Sequence, residues 1–157
     1  MKKMSFYAIA IAAVVITATS CKKEEAMPKT LYDRLGGVNA ISAVVDQFIT
    51  NVASNPKMVR TFAPLLADVQ KNGTNSARLQ ALRTNLIDQI GEATGGPQKY
   101  KGKDMVTAHK GMRITDDEFN SLVNDLVMAL NKFNVPSTEQ QELLGILGGL
   151  RGQIVNQ

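Results

Sequence analysis

Apolar residues recur every three or four positions in four long runs, cut apart by glycine and proline, and that restricts this chain to packed helices. Ile41, Val44, Val45, Phe48, Ile49 and Val52 make one continuous face on a helix over 38–53. Leu79, Leu82, Leu86, Ile87 and Ile90 do so over 76–92. Phe119, Leu122, Val123, Leu126, Met128, Ala129, Leu130 and Phe133 form a wide stripe on the next run. Leu143, Leu144, Leu147, Leu150 and Ile154 face inward on a single final helix. Thr30, Ser76 and the Thr115–Glu118 and Ser137–Gln140 pairs are start signals, the last two read as capping boxes. Gly36-Gly37, Asn55-Pro56, the turn 72–75, Gly95-Gly96-Pro97 and Val135-Pro136 are the breaks. A single turn is expected over 56–61, two helical turns over 64–71, a loop over 97–103 and a short helix ending at Gly111. The fold class is all-α over residues 30–157, one domain of ordinary size, and the lack of tryptophan fits an aliphatic core.

The first 29 residues are of another kind. Met1-Lys2-Lys3 is a positive start, Phe6–Thr19 an apolar stretch too short to span a bilayer, and Ala18-Thr19-Ser20 puts small residues before Cys21. This resembles a bacterial lipoprotein signal over 1–20. The resemblance implies that Cys21 becomes the lipidated first residue of an exported chain, anchored at the cell envelope on the periplasmic or surface side. Ala18 stands where that signal prefers leucine. An ordinary secretory signal with an incidental free thiol is the alternative. Residues 21–29, charged and broken by Pro28, read as a solvated tether. Cys21 is the one cysteine, so no intrachain disulfide forms.

Removing Lys2 and Lys3 with the leader leaves 16 basic against 14 acidic residues. The basic residues are scattered and lack interleaved aromatics, which excludes a nucleic-acid footprint. There is no phosphate-binding glycine motif, no CxxC and no nucleophile–base pair.

One candidate ligand is left. His109, the only histidine, ends the turn Met105-Val106-Thr107-Ala108-His109 before Lys110-Gly111. One histidine cannot build a zinc site or a two-histidine motif. It can be the single protein ligand of an iron that already has four others, as in haem. A histidine with no ligand is the competing interpretation.

Several pieces occur together: a one-turn first helix closed by Gly36-Gly37, Val44-Val45-Asp46-Gln47-Phe48, Phe62, Gly95-Gly96-Pro97-Gln98-Lys99-Tyr100-Lys101-Gly102, His109-Lys110-Gly111, Ile114-Thr115 and Val135-Pro136-Ser137. In this order and spacing they resemble the truncated, two-over-two haemoglobins, most closely group I, over residues 30–157. The resemblance implies haem b (iron protoporphyrin IX) and reversible binding of a diatomic gas: dioxygen, nitric oxide or carbon monoxide. It makes His109 the proximal ligand and Phe62 the aromatic on the porphyrin face. Leu82, Asn85 and Leu86 become distal-helix positions facing the gas, with Phe48 and Ile49 beside them. Met105, Ile114, Phe119 and Val123 complete the pocket wall, and Tyr100 and Lys103 are candidates for the propionate edge.

Two departures matter. Ile49 and Leu86 stand where many group I members carry tyrosine and glutamine, whose polar groups hydrogen-bond the gas. The stretch from Phe62 to Gly95 is also about a dozen residues longer than the family usual, so residues 63–75 are an added helix, a lid over the distal side, a partner surface or, the commoner case, an inert surface excursion. Nitric oxide oxidation would need an external reductase, since the chain carries no flavin or nicotinamide motif, and no enzyme is assigned. A haem carrier or redox partner of the envelope, or a haem-less interaction module, are the alternatives.

Overall fold

The computed structural model describes residues 28–157; the leader, Cys21 and most of the tether lie outside the described residues. Thr30 opens α1 (Leu31–Arg34) with a reciprocal cap. Its hydroxyl accepts from the Asp33 N–H, and the Asp33 carboxylate accepts from the Thr30 N–H. Gly36 and Gly37 then turn the chain at φ +93° and +73°, a region side chains resist. The Tyr32 hydroxyl accepts from Val38 N at 3.0 Å, which satisfies a free donor at the start of α2 (Gly37–Ser54). The second double glycine lies on the same ring: any side chain at Gly96 would run into Tyr32, and Gln98 donates to the Tyr32 hydroxyl at 3.1 Å. Gly96 is therefore a space made for the tyrosine, and Gly37 touches the same ring at ordinary contact distance, while Gly36 faces Ala40 and Gly95 faces Thr30.

A 3-10 turn, Pro56–Met58, leads into α3 (Val59–Asn72). A second, Gly73–Asn75, leads into α4 (Ala77–Ala93), capped by Ser76, whose hydroxyl accepts from Leu79 N at 3.0 Å. Asp104 caps α5 (Met105–His109), and the Thr115–Glu118 box caps α6 (Asp116–Lys132). The chain ends in α7 (Ser137–Gly148) and α8 (Arg151–Ile154).

α2 packs on α4, α6 packs on α7, and α2 joins the two pairs by crossing α6. Ile41, Val44, Val45, Ile87, Leu126 and Leu130 are among the buried residues at that crossing. Asp125 is buried there too, and its carboxylate accepts from the Asn55 amide at 2.7 Å, so the polar group is not left unpaired. Among the described residues the only β-structure is one isolated parallel bridge, Ile114 to Val155. No described helix is long and apolar enough to cross a membrane.

The sequence expectations are corrected in four places. The turn expected over 56–61 ends at Met58, and from Val59 one 14-residue helix runs through the stretch expected as two turns over 64–71, with Pro64 inside it. Phe62, Leu65, Leu66 and Val69 continue one face across the proline, and packing of that face overrides the local break. Ser137 does not cap α7. Pro136 holds the cap position, and Gln140 donates to Val135 O at 2.8 Å instead of reaching back to an N–H. Gly148-Gly149 splits the final helix in two. Met128 is 60% exposed because successive side chains turn by about 100°, which carries it off the stripe that Leu126 and Ala129 share. Phe133 lies beyond the last turn of α6 and is exposed as well.

Candidate functional site

α5 is a five-residue helix and takes its position from its neighbours. The Asp104 side chain accepts from Thr107 N at 2.9 Å, and buried Met105 reaches α4, where Gln89 donates to its sulfur at 3.4 Å. His109 closes the helix half-buried. Its Nδ1 lies 2.7 Å from the carbonyl oxygen of Met105. A carbonyl only accepts, so Nδ1 carries a proton, and the lone pair that could serve a metal is the one on Nε2. An imidazole held by a backbone acceptor at one nitrogen, with the other free to donate electrons, is the arrangement of a metal-ligating histidine. Among the described residues no group of three or more His, Cys, Asp or Glu could hold a metal ion. A metal at His109 must therefore bring its other ligands with it.

Beside this helix is a cleft of about 490 Å³. It runs between the first half of α3 (Arg60, Thr61, Phe62, Pro64, Leu65), the N-terminal turns of α4 (Arg78, Leu82) and Gly111-Met112, the turn that follows His109. Its size falls within the roughly 300–1,000 Å³ of small-molecule sites. A second, wholly separate cavity near Ile41, Ile90 and Leu143 is about 190 Å³, too small for a planar cofactor. α3 is amphipathic, yet none of its residues is buried. Phe62, Leu65, Leu66 and Val69 are all half-covered, an apolar face that a flat apolar group would complete. The residues present fit haem: an imidazole with one nitrogen open, a cleft of suitable size lined by Gly111 and Met112 just after it though not by His109 itself, and an apolar helix face still partly open.

Of the expected residues, Phe62 and Leu82 line the cleft together. Phe48, Ile49 and Leu86 lie behind it, partly buried against the core between α2 and α4. Asn85 is half-buried, and its side chain makes no hydrogen bond among the described residues. Ile114 and Phe119 are buried on the side of α8: Ile114 bridges to Val155, and the Phe119 ring lies under the Arg151 guanidinium at 4.9 Å. Val123 is half-buried on α6. Tyr100 is not on the cleft wall. Its hydroxyl donates to Lys103 O at 2.7 Å and its N–H to Glu92 at 2.9 Å, so it staples its own loop.

Sequence reasoning missed Arg60, Thr61, Leu65, Arg78 and Met112. The adjacency of Met112 to His109 was the one available signal. Arg60 has none in the sequence, because its partners are 52 to 58 residues away. Its Nε donates to Glu118 at 2.8 Å, a second guanidinium nitrogen also reaches that carboxylate, and the fork donates to Met112 O at 2.9 Å and Arg113 O at 3.1 Å. Glu118 accepts from Thr61 at 3.2 Å and from Thr115 N at 2.9 Å as well. The Arg60 guanidinium, helped by Thr115 and Thr61, holds this carboxyl down at about 2 against the opposing cost of its burial. On the far side of the cleft Asp68 accepts from Ser76 and Asn72, and the Ser76 bond draws its pKa below the ordinary value.

The family model described as bacterial-like globin matches residues 30–156. A group 1 truncated haemoglobin of Mycolicibacterium paratuberculosis is 32% identical over 130 residues, 83% of this chain and 87% of that protein. The crystal structure of truncated haemoglobin from Tetrahymena pyriformis in its Fe(III) form superposes with a TM-score of 0.69 at 26% identity, covering 82% of this chain and all of that one. A group II truncated haemoglobin from Bacillus anthracis shares the fold at a TM-score of 0.67 and 18% identity, over 83% of this chain and 94% of that one.

The ionisation of Glu118 has a measurable consequence. Its ordinary value is 4.5 and its folded value about 2. The stability it contributes is complete above its ordinary value and is lost as pH falls toward the folded one, because there the unfolded chain binds a proton that the folded chain does not. Denaturant unfolding of wild type and Glu118→Gln is expected to show a constant difference above about pH 5 that closes on acidification. A difference that stays level down to about pH 3 would contradict this assignment.

Proposed function

The chain belongs to the bacterial-like globin family, and from that premise we propose that it is a haem protein that reversibly binds a diatomic gas, held at the cell envelope through a lipidated Cys21. The observation that carries the proposal is the 2.7 Å contact from His109 Nδ1 to Met105 O, which leaves Nε2 as an electron-pair donor beside the cleft. The group is taken as haem b, because covalent thioether attachment needs a Cys-x-x-Cys-His segment that this sequence lacks. When bound, haem would supply an iron that can bind a small gas, with His109 as the residue that would hold it.

This chain's own residues do the rest. His109 holds the metal and Met105 O holds His109. Phe62 and Leu82 offer apolar surface and keep water from the cleft. Ile49 and Leu86 offer no donor to a gas, and Asn85 is the one amide among the distal positions. A hydrogen bond to a partly charged acceptor contributes about 1.5–3 kcal/mol. Without it, dioxygen leaves about tenfold to a hundredfold faster than from a relative with tyrosine at position 49, since each 1.4 kcal/mol is a factor of ten. Nitric oxide and carbon monoxide depend less on such a donor and are the competing ligands. Oxidation of nitric oxide would draw its electrons from an external reductase. The N-terminal anchor rests on the pattern ending at Cys21: each buried methylene of an acyl chain contributes about 0.8 kcal/mol, so a multiply acylated cysteine stays on a membrane.

The decisive experiment adds haemin to residues 22–157 and records the visible spectrum with and without carbon monoxide. Wild type is expected to develop a Soret band that shifts with the gas, and His109→Ala to lose it. Equal haem uptake by both chains would point to another ligand or to none. Ile49→Tyr is expected to slow dioxygen release by about tenfold or more in stopped-flow mixing, and release no slower than wild type would refute the distal account. In the full-length chain, Cys21→Ser is expected to move the protein from the membrane fraction to the soluble one. Unchanged membrane partition would end the lipid-anchor proposal.

A further inference from the structure

The cleft is walled by two segments from distant parts of the chain, the start of α3 and the turn after His109. Among the described residues, every hydrogen bond from α3 to the segment 109–118 is made by Arg60 or Thr61. The Arg60 side chain is 54% exposed and that of Glu118 11%, so the bond network lies where the cleft meets solvent, with its carboxylate tucked inside. Arg60 is itself a lining residue, and it donates to the carbonyl of Met112, which lines the opposite wall. A forked guanidinium on a carboxylate and two carbonyls is a rigid four-point tie, stronger than an ordinary exposed ion pair. The turn is also held from behind, where Arg113 N donates to Gln157 O at 2.8 Å and Asn156 N to Ile114 O at 2.9 Å. The turn before α3 is also joined to the start of α6 by Lys57, which donates to Asp117 at 2.9 Å between two well-exposed side chains, so separating the walls within the cleft itself means breaking the Arg60 fork.

We propose that Arg60 and Glu118 form a latch across the mouth of the haem cleft, joining its two walls and setting the rate at which haem leaves. The inference rests on the haem reading above and goes beyond it: His109 holds the metal, whereas the latch keeps the walls closed around the rest of the group. A chain with such a latch retains its haem rather than passing it to an acceptor.

The test loads full-length wild type, Arg60→Met and Glu118→Gln with haemin and follows its transfer to an excess of a haem-scavenging apoprotein. Glutamine still serves the third position of a capping box, so Glu118→Gln removes the charge while keeping the start of α6. Arg34→Met is the control, because it breaks an ion pair to Glu139 and Glu142 between α1 and α7, away from the cleft. Each latch variant is expected to lose haem about tenfold faster than wild type, the double variant no faster than the quicker single one, and the control within about twofold. Latch variants that release haem at the wild-type rate, or a control that speeds release equally, overturn the latch while leaving the haem reading intact. A wild-type chain that takes up no haemin overturns both.

Discussion

The hydrogen bond from the His109 ring to the Met105 carbonyl is the contact on which the rest of the site depends. It settles which nitrogen carries the proton and so which one is able to bind a metal. It also operates within a helix too short to hold itself, since isolated helices below about 12–15 residues are marginal in water. α5 borrows its order from the Asp104 cap, from Met105 packed toward Gln89 of α4, and from a following turn tied to both α3 and the C-terminal segment. The imidazole is aimed by tertiary structure drawn from almost the whole domain, not by its own helix.

α3 shows the opposite economy. It has an apolar face and no buried residue, and it is attached at its two ends by polar contacts, Arg60 to Glu118 and Asp68 to Ser76. An element with little buried apolar surface belongs to the low-stability part of a fold. A ligand that covers Phe62 and Leu65 stabilises the state in which they are covered, in proportion to its concentration over its dissociation constant. The order of α3 is thus coupled to what fills the cleft.

Local chemistry was legible in the sequence. Thr30, Ser76 and Thr115 cap the helices that their side chains announce, and the 3.6-residue period located α2, α4 and α6 to within a residue or two. The double glycines were legible as corners. That Gly96 makes room for the Tyr32 ring was not, because the reason lies in a contact across 64 residues. Pro64 misled for a physical reason: a proline usually starts or breaks a helix, and only the tertiary face of α3 shows that it does neither here. Of the candidate site, Phe62 and Leu82, expected from the family resemblance, do line the cleft, and His109 comes just before its Gly111-Met112 wall. Arg60, Arg78 and Met112 were not legible, since cleft walls are assembled from segments whose sequence separation carries no period and no motif.

The parallel bridge between Ile114 and Val155 bears on when the molecule becomes functional. Domains assemble as they emerge during synthesis, N-terminal parts first, at about 5–20 residues per second. α2, α4 and α6 are all synthesised before residues 155–157, yet the turn behind the imidazole is completed by those residues. The turn that follows His109 is therefore among the last parts of a newly made domain to close.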